Sequence, residues 1–523
     1  MISITGARTM GALILAGVLA AAVPGQAGSP SLADRVIEHK LANGMTVLMV
    51  ERHQAPIVSV NMTFGVGGVN EQVGQTGLAH LYEHMAFKGT RTVGTRDYER
   101  EQAVLDDLAM VGTELDRRER EEAARAQAEG KPPVPSERVQ QLQRRFKELQ
   151  EKAGEYVVGN EMALLYQRHG GVGLNASTGK DITRYVISLP ANRLPLWAAL
   201  ESDRMAHPVL REFYKERGVV MEERRLRTDD SPNGLLYETF TSTAFQAHQY
   251  GVPTIGWGSD ILSLTPAATE AFFKTYYGPN NATVAIVGDI NPKEVIALIE
   301  QTFGKIPAAP PIPSLVTEEP PQRGERRVEI EFDAEPALAI GYHKPTIGHP
   351  DDFVFDVIDE VLTEGVTSRL YSTLVRDKRL AASVLSDTNY PGVRAPNLFV
   401  IAATPLAPHS VTEVETAIYE ELDRLKTEPI SAKEFERVLN GLDADLVRSL
   451  RSNSGLASQL AFYQTVAGTW RYVLNARDRI AAVTPADVQR VAAQYLTKPN
   501  RTVGVLVKKA QDKKMAAAGE VAR

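Results

Sequence analysis

The sequence contains no cysteine, and this absence removes three kinds of chemistry at once. Without thiols there is no disulfide, no thiolate metal site and no cysteine nucleophile. The chain also has no excess of basic residues: it contains 58 lysines and arginines and 65 aspartates and glutamates, and its net charge is −7. Nucleic-acid-binding chains are normally basic, so we expect no nucleic-acid partner.

Long apolar runs are scarce, and the one near the N-terminus is short. Arg8 is the only charged side chain before residue 28, and the run GALILAGVLAAAV is followed by PGQAGS. A membrane anchor is the alternative interpretation, but a spanning helix needs about 20 apolar residues. The pattern predicts a cleaved secretory signal over residues 1–27 and export to the periplasm, with no membrane span in the mature chain.

Two segments of the chain repeat the same order of elements. LTPAATEAFFKTYYGPNNATVAIVGDI and VTPADVQRVAAQYLTKPNRTVGVLVKK each predict a capped helix, a Pro-Asn turn and a strand. Thr265 to Thr283 and Thr484 to Thr502 both span 18 positions. The shared order indicates duplication of an α/β unit.

Composition divides the chain between these repeats. Residues 306–324, IPAAPPIPSLVTEEPPQRG, are rich in proline and lack a period, which predicts an extended linker. We therefore predict an N-terminal domain over 33–305, a C-terminal domain over 325–510 and a frayed tail over 511–523.

Residues from about 99 to 158 differ in composition from the rest of the first domain. Two charged arms on either side of GKPPVP carry an apolar stripe at helical spacing: Val104, Leu108, Val111 and Leu115, then Val139, Leu142, Phe146 and Leu149. This pattern predicts a charged helical hairpin. A structural insertion is the simpler interpretation, and a partner-binding or gating arm is the other.

The stretch GLAHLYEHMAF places His80, Glu83 and His84 on one predicted helix. Residues four apart share a helix face, so the two imidazoles could bind one cation, and Glu83 lies beside them. This H-x-x-E-H order is a zinc-hydrolase signature, although a chance match is possible.

A third ligand is needed, because catalytic zinc usually takes three protein ligands and leaves one position for water. ERGVVMEERR offers Glu216 and Glu223, which are seven apart and share a face. One acid could bind the metal while the other supports a ligand from behind. Spacing alone does not choose between them, and a solvated helix face is the competing interpretation.

HLYEHMAFKGT together with ERGVVMEE resembles the pitrilysin/insulinase family of zinc peptidases, which includes the mitochondrial processing peptidases. The resemblance implies an α+β fold of two related domains, each a mixed or antiparallel sheet packed with helices. It implies one Zn²⁺ per chain, with Glu83 as general base and Glu216 supporting the site without binding metal. The implied zinc ligands are His80, His84 and Glu223.

LNASTGKDITRYV resembles the Asn-Ala-x-Thr strand of the same family. This match implies that Asn175, Ala176 and Thr178 lie on an edge strand that pairs with the backbone of the substrate. In the second half, SRLYSTLVRDKRLAASV should carry an Arg and a Tyr that also reach the substrate. Arg376 is present, but Ala382 or Ser383 stands where the tyrosine is expected.

Two further departures from the family pattern matter. His84 and Glu223 are 139 positions apart, farther than in most family members, and the hairpin accounts for the excess. The second half has DVIDEVLTEGV, from Asp356, where the first half has HLYEHMAFKGT, so the duplicate metal site is absent from it.

Together with the predicted secretory signal, the resemblance implies an exported zinc metalloendopeptidase that hydrolyses extended peptides or unfolded segments. The family works as a chamber of four similar domains, and this chain supplies two, so a second chain must complete it. The incomplete Arg and Tyr pair favours a zinc-less homologous partner in a heterodimer over a homodimer. The alternative function is a catalytically inactive scaffold or assembly subunit of the same fold. Another divalent ion could also occupy a site of two histidines and one carboxylate.

Overall fold

The computed structural model describes residues 32–509 of the chain. The predicted signal peptide and the predicted tail therefore lie outside the described residues. Within the described part, no helix is both long enough and apolar enough to cross a membrane.

The first half is built on a six-stranded mixed sheet in which β2 and β6 are parallel and the other neighbours are antiparallel. The strands are β1 (Ile37–Lys40), β2 (Thr46–Glu51), β3 (Ile57–Phe64), β4 (Val172–Thr178), β5 (Thr183–Pro190) and β6 (Ala282–Gly288). Their order across the sheet is β1-β2-β6-β3-β5-β4, so β4 is an edge strand. β1 and β2 lie on either side of the Ala42-Asn43-Gly44 turn.

Eleven α-helices accompany this sheet in the described residues. They are α1 (Leu32–Arg35), α2 (Leu78–Met85), α3 (Tyr98–Ala128), α4 (Glu137–Gly154), α5 (Glu161–Arg168), α6 (Leu194–Ala206), α7 (Phe213–Arg224), α8 (Pro232–Ala244), α9 (Gly258–Ile261), α10 (Pro266–Tyr276) and α11 (Pro292–Gln301). A π-helical turn, Arg225–Asp229, continues α7.

The predicted charged hairpin is present as α3 and α4. Asp97 caps α3 by accepting from the N–H of Arg100, and Ser136 caps α4 by accepting from the N–H of Val139. Asp and Ser side chains at this position satisfy a backbone donor that the first helical turn leaves free. The two arms bury the predicted stripe between them: Val104, Leu108, Leu115, Val139, Leu142 and Leu149.

The second half has a five-stranded sheet of order β7-β11-β8-β10-β9. The strands are β7 (Arg326–Phe332), β8 (Ala337–Lys344), β9 (Ala381–Tyr390), β10 (Asn397–Pro405) and β11 (Arg501–Lys508). The helices are α12 (Pro350–Leu362), α13 (Val411–Thr427), α14 (Ala432–Arg451), α15 (Asn453–Val466), α16 (Tyr472–Ala481) and α17 (Pro485–Tyr495). Residues 307–325, between the halves, contain no helix or strand.

The two halves share one topology, as the repeated sequence pattern predicted. β7 pairs in parallel with β11 as β2 pairs with β6, and the remaining strands follow in the same antiparallel order. Thr265 and Thr484 each cap the helix before the last strand of their sheet by accepting from a backbone N–H. The chain is therefore an α+β protein of two related halves.

Each sheet is covered on one face by a helix from the other half. α15 packs on β2 and β6 through Leu456, Ala457, Leu460 and Ala461, and Asn61 of β3 donates to the hydroxyl of Ser458 at 3.1 Å. In return, α8 places Leu236 and Phe240 against the second sheet.

Phe240 of α8 packs closely against the second sheet at two strand glycines, Gly341 and Gly504. A Cβ at Gly341 would lie 2.6 Å from Cζ of Phe240, and a Cβ at Gly504 would lie 3.1 Å from its Cβ. Phe240 is fully buried, so it cannot withdraw into solvent. The close approach of helix and sheet therefore depends on these missing side chains.

We expect Gly341→Ala to destabilise the chain by about 1–3 kcal/mol, since overpacking forces a buried ring out of place. The measurement is the midpoint of chemical unfolding followed by circular dichroism. Gly324→Ala is the matched control, because nothing lies within 4 Å of its added Cβ. Equal midpoints for the two variants would contradict the proposed close packing.

Candidate metal centre

The helix that carries the two histidines has one apolar face and one face turned to the site. Leu78, Leu81, Tyr82 and Met85 recur at helical spacing and are buried in the core of the first half. This spacing leaves His80, Glu83 and His84 on the other side of α2. The hydrophobic face therefore fixes where the imidazoles point.

The start of α2 is held in place by a buried carboxylate. Glu71 accepts hydrogen bonds from the backbone N–H groups of Gly77 and Ala79, both at 2.8 Å. Gly77 has a positive φ of 91°, and a Cβ there would lie 2.6 Å from the carbonyl oxygen of Ile255. Only glycine fits this turn without strain, so the helix begins at a fixed place.

The three predicted ligands converge, although 139 positions separate His84 from Glu223. His80 Nε2 lies 3.7 Å from Glu223 Oε1, and His84 Nε2 lies 3.4 Å from Glu223 Oε2. One donor atom from each of the three residues lies within 4.8 Å of the other two. Ligands of one tetrahedral zinc ion, each about 2.0–2.2 Å from the metal, stand about 3.3–3.5 Å apart, so the cluster fits a single small cation.

His84 is oriented from behind by the second acid of α7. Its Nδ1 lies 3.4 Å from Glu216 Oε2, and Lys88 Nζ lies 2.5 Å from Glu216 Oε1. A carboxylate on Nδ1 fixes the tautomer in which Nε2 can donate its lone pair to a metal. His80 differs, because its Nδ1 is buried and has no hydrogen-bond partner among the described residues.

The ionisation of the metal-free cluster follows from burial and pairing. Burial lowers the pKa of His80 to about 4, so this imidazole is neutral. Burial also opposes charge on His84, but hydrogen bonds to Glu216 and Glu223 outweigh it and raise the pKa of His84 to about 9. The hydrogen bond from His84 lowers the pKa of Glu223 to about 2. A divalent cation bound here would displace the proton of His84.

Glu83 stands next to His84 and contacts the edge strand β4. Thr178 Oγ1 donates to Glu83 Oε2 at 2.6 Å, and the second carboxylate oxygen is left without a donor among the described hydrogen bonds. Burial raises the pKa of Glu83, and the bond from Thr178 partly offsets this rise. The carboxylate is thus beside the three donor atoms and held by one oxygen.

The structure brings together six of the predicted site residues, and no described hydrogen bond or ion pair joins the other three, Asn175, Ala176 and Arg376, to them; the six are His80, Glu83, His84, Thr178, Glu216 and Glu223. Asn175 and Ala176 lie on β4, opposite Val186 and Tyr185 of β5. Arg376 is more than half exposed, and its guanidinium donates to the neighbouring Asp377 carboxylate rather than to the cluster. The contact of Thr178 with Glu83 was not predicted from the sequence.

Two cations at the site were missed by sequence reasoning. Lys88 contacts Glu216, and Arg227 lies with Nη1 2.5 Å from Glu223 Oε1. Each follows a predicted ligand by four residues, Lys88 after His84 and Arg227 after Glu223. For Arg227 that helical spacing was the available signal, because residues four apart on a helix are neighbours. Lys88 had no such signal, since it lies beyond the end of α2 and contacts Glu216 of α7.

Comparisons with known proteins agree with this geometry. The family model described as insulinase (peptidase family M16) matches residues 46–106, which include both histidines, and the model described as peptidase M16 inactive domain matches residues 263–442. The zinc protease PqqE of Helicobacter pylori is 29% identical over 462 residues, covering 87% of this chain and 89% of the relative.

Solved structures share the fold. A protease from Helicobacter pylori, 28% identical, superposes with a TM-score of 0.74 over 90% of this chain and 99% of the other. The first half of the periplasmic protease PqqL from Escherichia coli, 18% identical, gives 0.64 over 94% and 97%, which shows the fold alone. Against full-length PqqL the TM-score is 0.66, and the match covers 93% of this chain but 48% of that chain. With family models in both halves and relatives that are zinc proteases, this chain belongs to the M16 family of peptidases.

Proposed function

We propose that this chain is a zinc metalloendopeptidase that hydrolyses extended peptides or unfolded segments. The observation that carries the proposal is the convergence of His80, His84 and Glu223 within 4.8 Å of one another. Two imidazoles and one carboxylate are a donor set of hydrolytic zinc sites, which keep one position open. One such cluster is found in residues 32–509, so the proposed content is one Zn²⁺ per chain.

When bound, zinc supplies Lewis acidity, which polarises the scissile carbonyl and makes water a better nucleophile. The protein side of the reaction belongs to Glu83. Its Oε2 is held by Thr178, and its Oε1 is available to take the proton of the attacking water. In the second step, Glu83 passes this proton to the nitrogen of the leaving amine.

The edge strand β4 is the proposed binding place of the peptide. Its free edge can add an extended peptide as a further antiparallel or parallel strand, and side-chain pockets then supply preference. Asn175, Ala176 and Thr178 lie on this strand, and Thr178 also touches Glu83. A peptide paired with β4 would therefore lie beside the proposed base.

A second chain is proposed to complete the catalytic chamber. The match to this chain covers 48% of the PqqL chain, so two chains of this size would span one PqqL molecule. Arg376, which resembles the substrate-contacting arginine of the family, lacks a tyrosine partner at Ala382 or Ser383. We therefore favour a heterodimer with a zinc-less homologue, with a homodimer as the other arrangement.

The proposed place of action is the periplasm. This proposal is supported by the apolar segment and small residues near the N-terminus, as well as by the fold shared with a periplasmic protease.

An inactive scaffold is the competing function, and the cluster argues against it. The match to the inactive-domain model covers residues 263–442, which contain none of His80, Glu83, His84 or Glu223. A scaffold needs neither a converged donor set nor an oriented carboxylate beside it.

The decisive test of the chemistry is Glu83→Gln. We expect this variant to keep its zinc, because Glu83 is not one of the three proposed ligands, and to lose turnover by a factor of about 10²–10⁴. Zinc content by atomic absorption and cleavage of a quenched fluorescent peptide give the two readouts, with the protein purified together with any natural partner.

Glu222→Gln is the matched control, because Glu222 is exposed on the same helix as the ligand Glu223 and pairs with Arg225. It should leave both readouts unchanged. Turnover of Glu83→Gln within a few-fold of the wild type would overturn the assignment of the base.

The partner proposal predicts that the purified chain alone cleaves peptides slowly and that a co-purifying zinc-less homologue restores turnover. The reason is that the wall opposite the metal centre must come from a second chain. Size-exclusion chromatography with light scattering, run beside the cleavage assay, measures both properties. A single symmetric homodimer with full activity would contradict the heterodimer.

A further inference from the structure

The run EERRLR, which follows Val220 and Met221, reads as a solvated charged face, but its three arginines have different surroundings. Arg224 is buried and donates to Glu238 of α8 and to the carbonyl oxygen of Gly256. Arg225 is about half exposed and pairs with Glu222. Arg227 alone contacts a proposed metal ligand.

The contact of Arg227 is close and specific to one oxygen. Its Nη1 lies 2.5 Å from Glu223 Oε1, while Glu223 Oε2 faces Nε2 of His84 at 3.4 Å. The Arg227 side chain is 57% exposed and the Glu223 side chain is 17% exposed, so the pair spans the boundary between the site and solvent.

The backbone of Arg227 is held in place by its neighbours. It lies in the π-helical turn Arg225–Asp229, which extends α7 beyond Glu223. A Cβ at Gly234 of α8 would lie only 2.0 Å from the carbonyl oxygen of Arg227, so the two backbones touch. Arg224, bound to both Glu238 and Asp229, ties the turn to α8 from inside. The side chain therefore starts from a fixed point.

We propose that Arg227 is a positioning residue for the metal ligand Glu223. By holding Oε1, which also lies 3.7 Å from His80 Nε2, it would fix the plane of the carboxylate. Oε2, which lies 3.4 Å from His84 Nε2, would then be the oxygen left to bind the metal. Glu216 plays the matching part for His84, because its Oε2 lies 3.4 Å from Nδ1 of that ring. The inference rests on metal binding at this cluster, which is part of the proposed function.

A simple charge effect makes the opposite prediction. A cation next to a divalent metal repels it, so if Arg227 acted only through charge, its removal would tighten metal binding. If Arg227 positions the ligand, its removal weakens binding, because a carboxylate free to rotate must be ordered by the metal itself. Loss of such a supporting residue typically lowers metal affinity by about 10–100-fold.

The test compares Arg227→Met and Arg227→Gln with the wild-type full-length chain, using Zn²⁺ alone in competition with a chromogenic chelator. Both neutral variants should bind Zn²⁺ about 10–100-fold more weakly, and Arg227→Lys should recover most of the loss. Co²⁺ substituted into the same proteins gives a second readout. The visible absorption of the neutral variants should change, because the released carboxylate can bind through both oxygens.

Arg225→Met is the matched control, since it removes a neighbouring arginine that pairs with Glu222 and not with a ligand. It should leave the Zn²⁺ affinity and the Co²⁺ spectrum unchanged. Circular dichroism verifies the fold of each variant, and either neutral variant suffices if the other fails to fold.

The possible failures are distinguishable. Wild-type Zn²⁺ binding with equal or tighter binding by the neutral variants overturns the role of Arg227 and leaves the proposed function standing. Absence of Zn²⁺ binding by the wild-type chain overturns both.

Discussion

The packing of α2 against α7 is the contact on which the candidate site depends. α2 brings both histidines, and α7 brings Glu216 and Glu223. The two helices meet through His84 and its acidic partners, and Lys88, just after α2, adds a contact with Glu216. The hairpin braces α7 from its other side, because Asp116 of α3 pairs with Arg217 at 2.6 Å and Ala109 accepts from Tyr214. The insertion that lengthens the sequence between the ligands therefore also helps to hold them together.

The packing of α8 and α15 on the sheet of the opposite half supports the contact between α2 and α7. Each sheet buries one face against its own helices and the other face against a helix of the opposite half, so neither half covers both faces of its sheet by itself. α8 follows α7 through the π-helical turn, and Arg224 bonds the two segments directly. The ligand helix is thus continuous with the element that joins the halves.

Local signals in the sequence were enough for local features. Helical spacing identified the face of His80 and His84 and the two arms of the hairpin, and the Thr-Pro pairs marked the starts of α10 and α17. Spacing could not choose between Glu216 and Glu223, because both lie on the same face of α7, and the choice came from a family resemblance. The contact of Thr178 with Glu83 and the packing of α8 and α15 on the sheet of the opposite half involve distant segments, so no local pattern encodes them.

The two halves keep one scaffold and differ in chemistry at the equivalent helix. α12 carries Asp356 and Glu360 in place of the two imidazoles and Asp359 in place of Glu83, and no second group of metal donors occurs in residues 32–509. Burial raises the pKa of Asp356 to about 8 and that of Asp359 to about 7, so burial favours the neutral form of both carboxyl groups. Hydrogen bonds from Thr388 and Ser386 reach them from β9. In the first half, Thr178 of β4 makes the equivalent strand-to-helix contact with Glu83. There, however, the low pKa values of His80 and Glu223 leave a neutral imidazole and an anionic carboxylate, which are the forms that bind a metal. The duplication has therefore preserved the contact between edge strand and helix, and the metal-binding capacity depends on which side chains that helix presents.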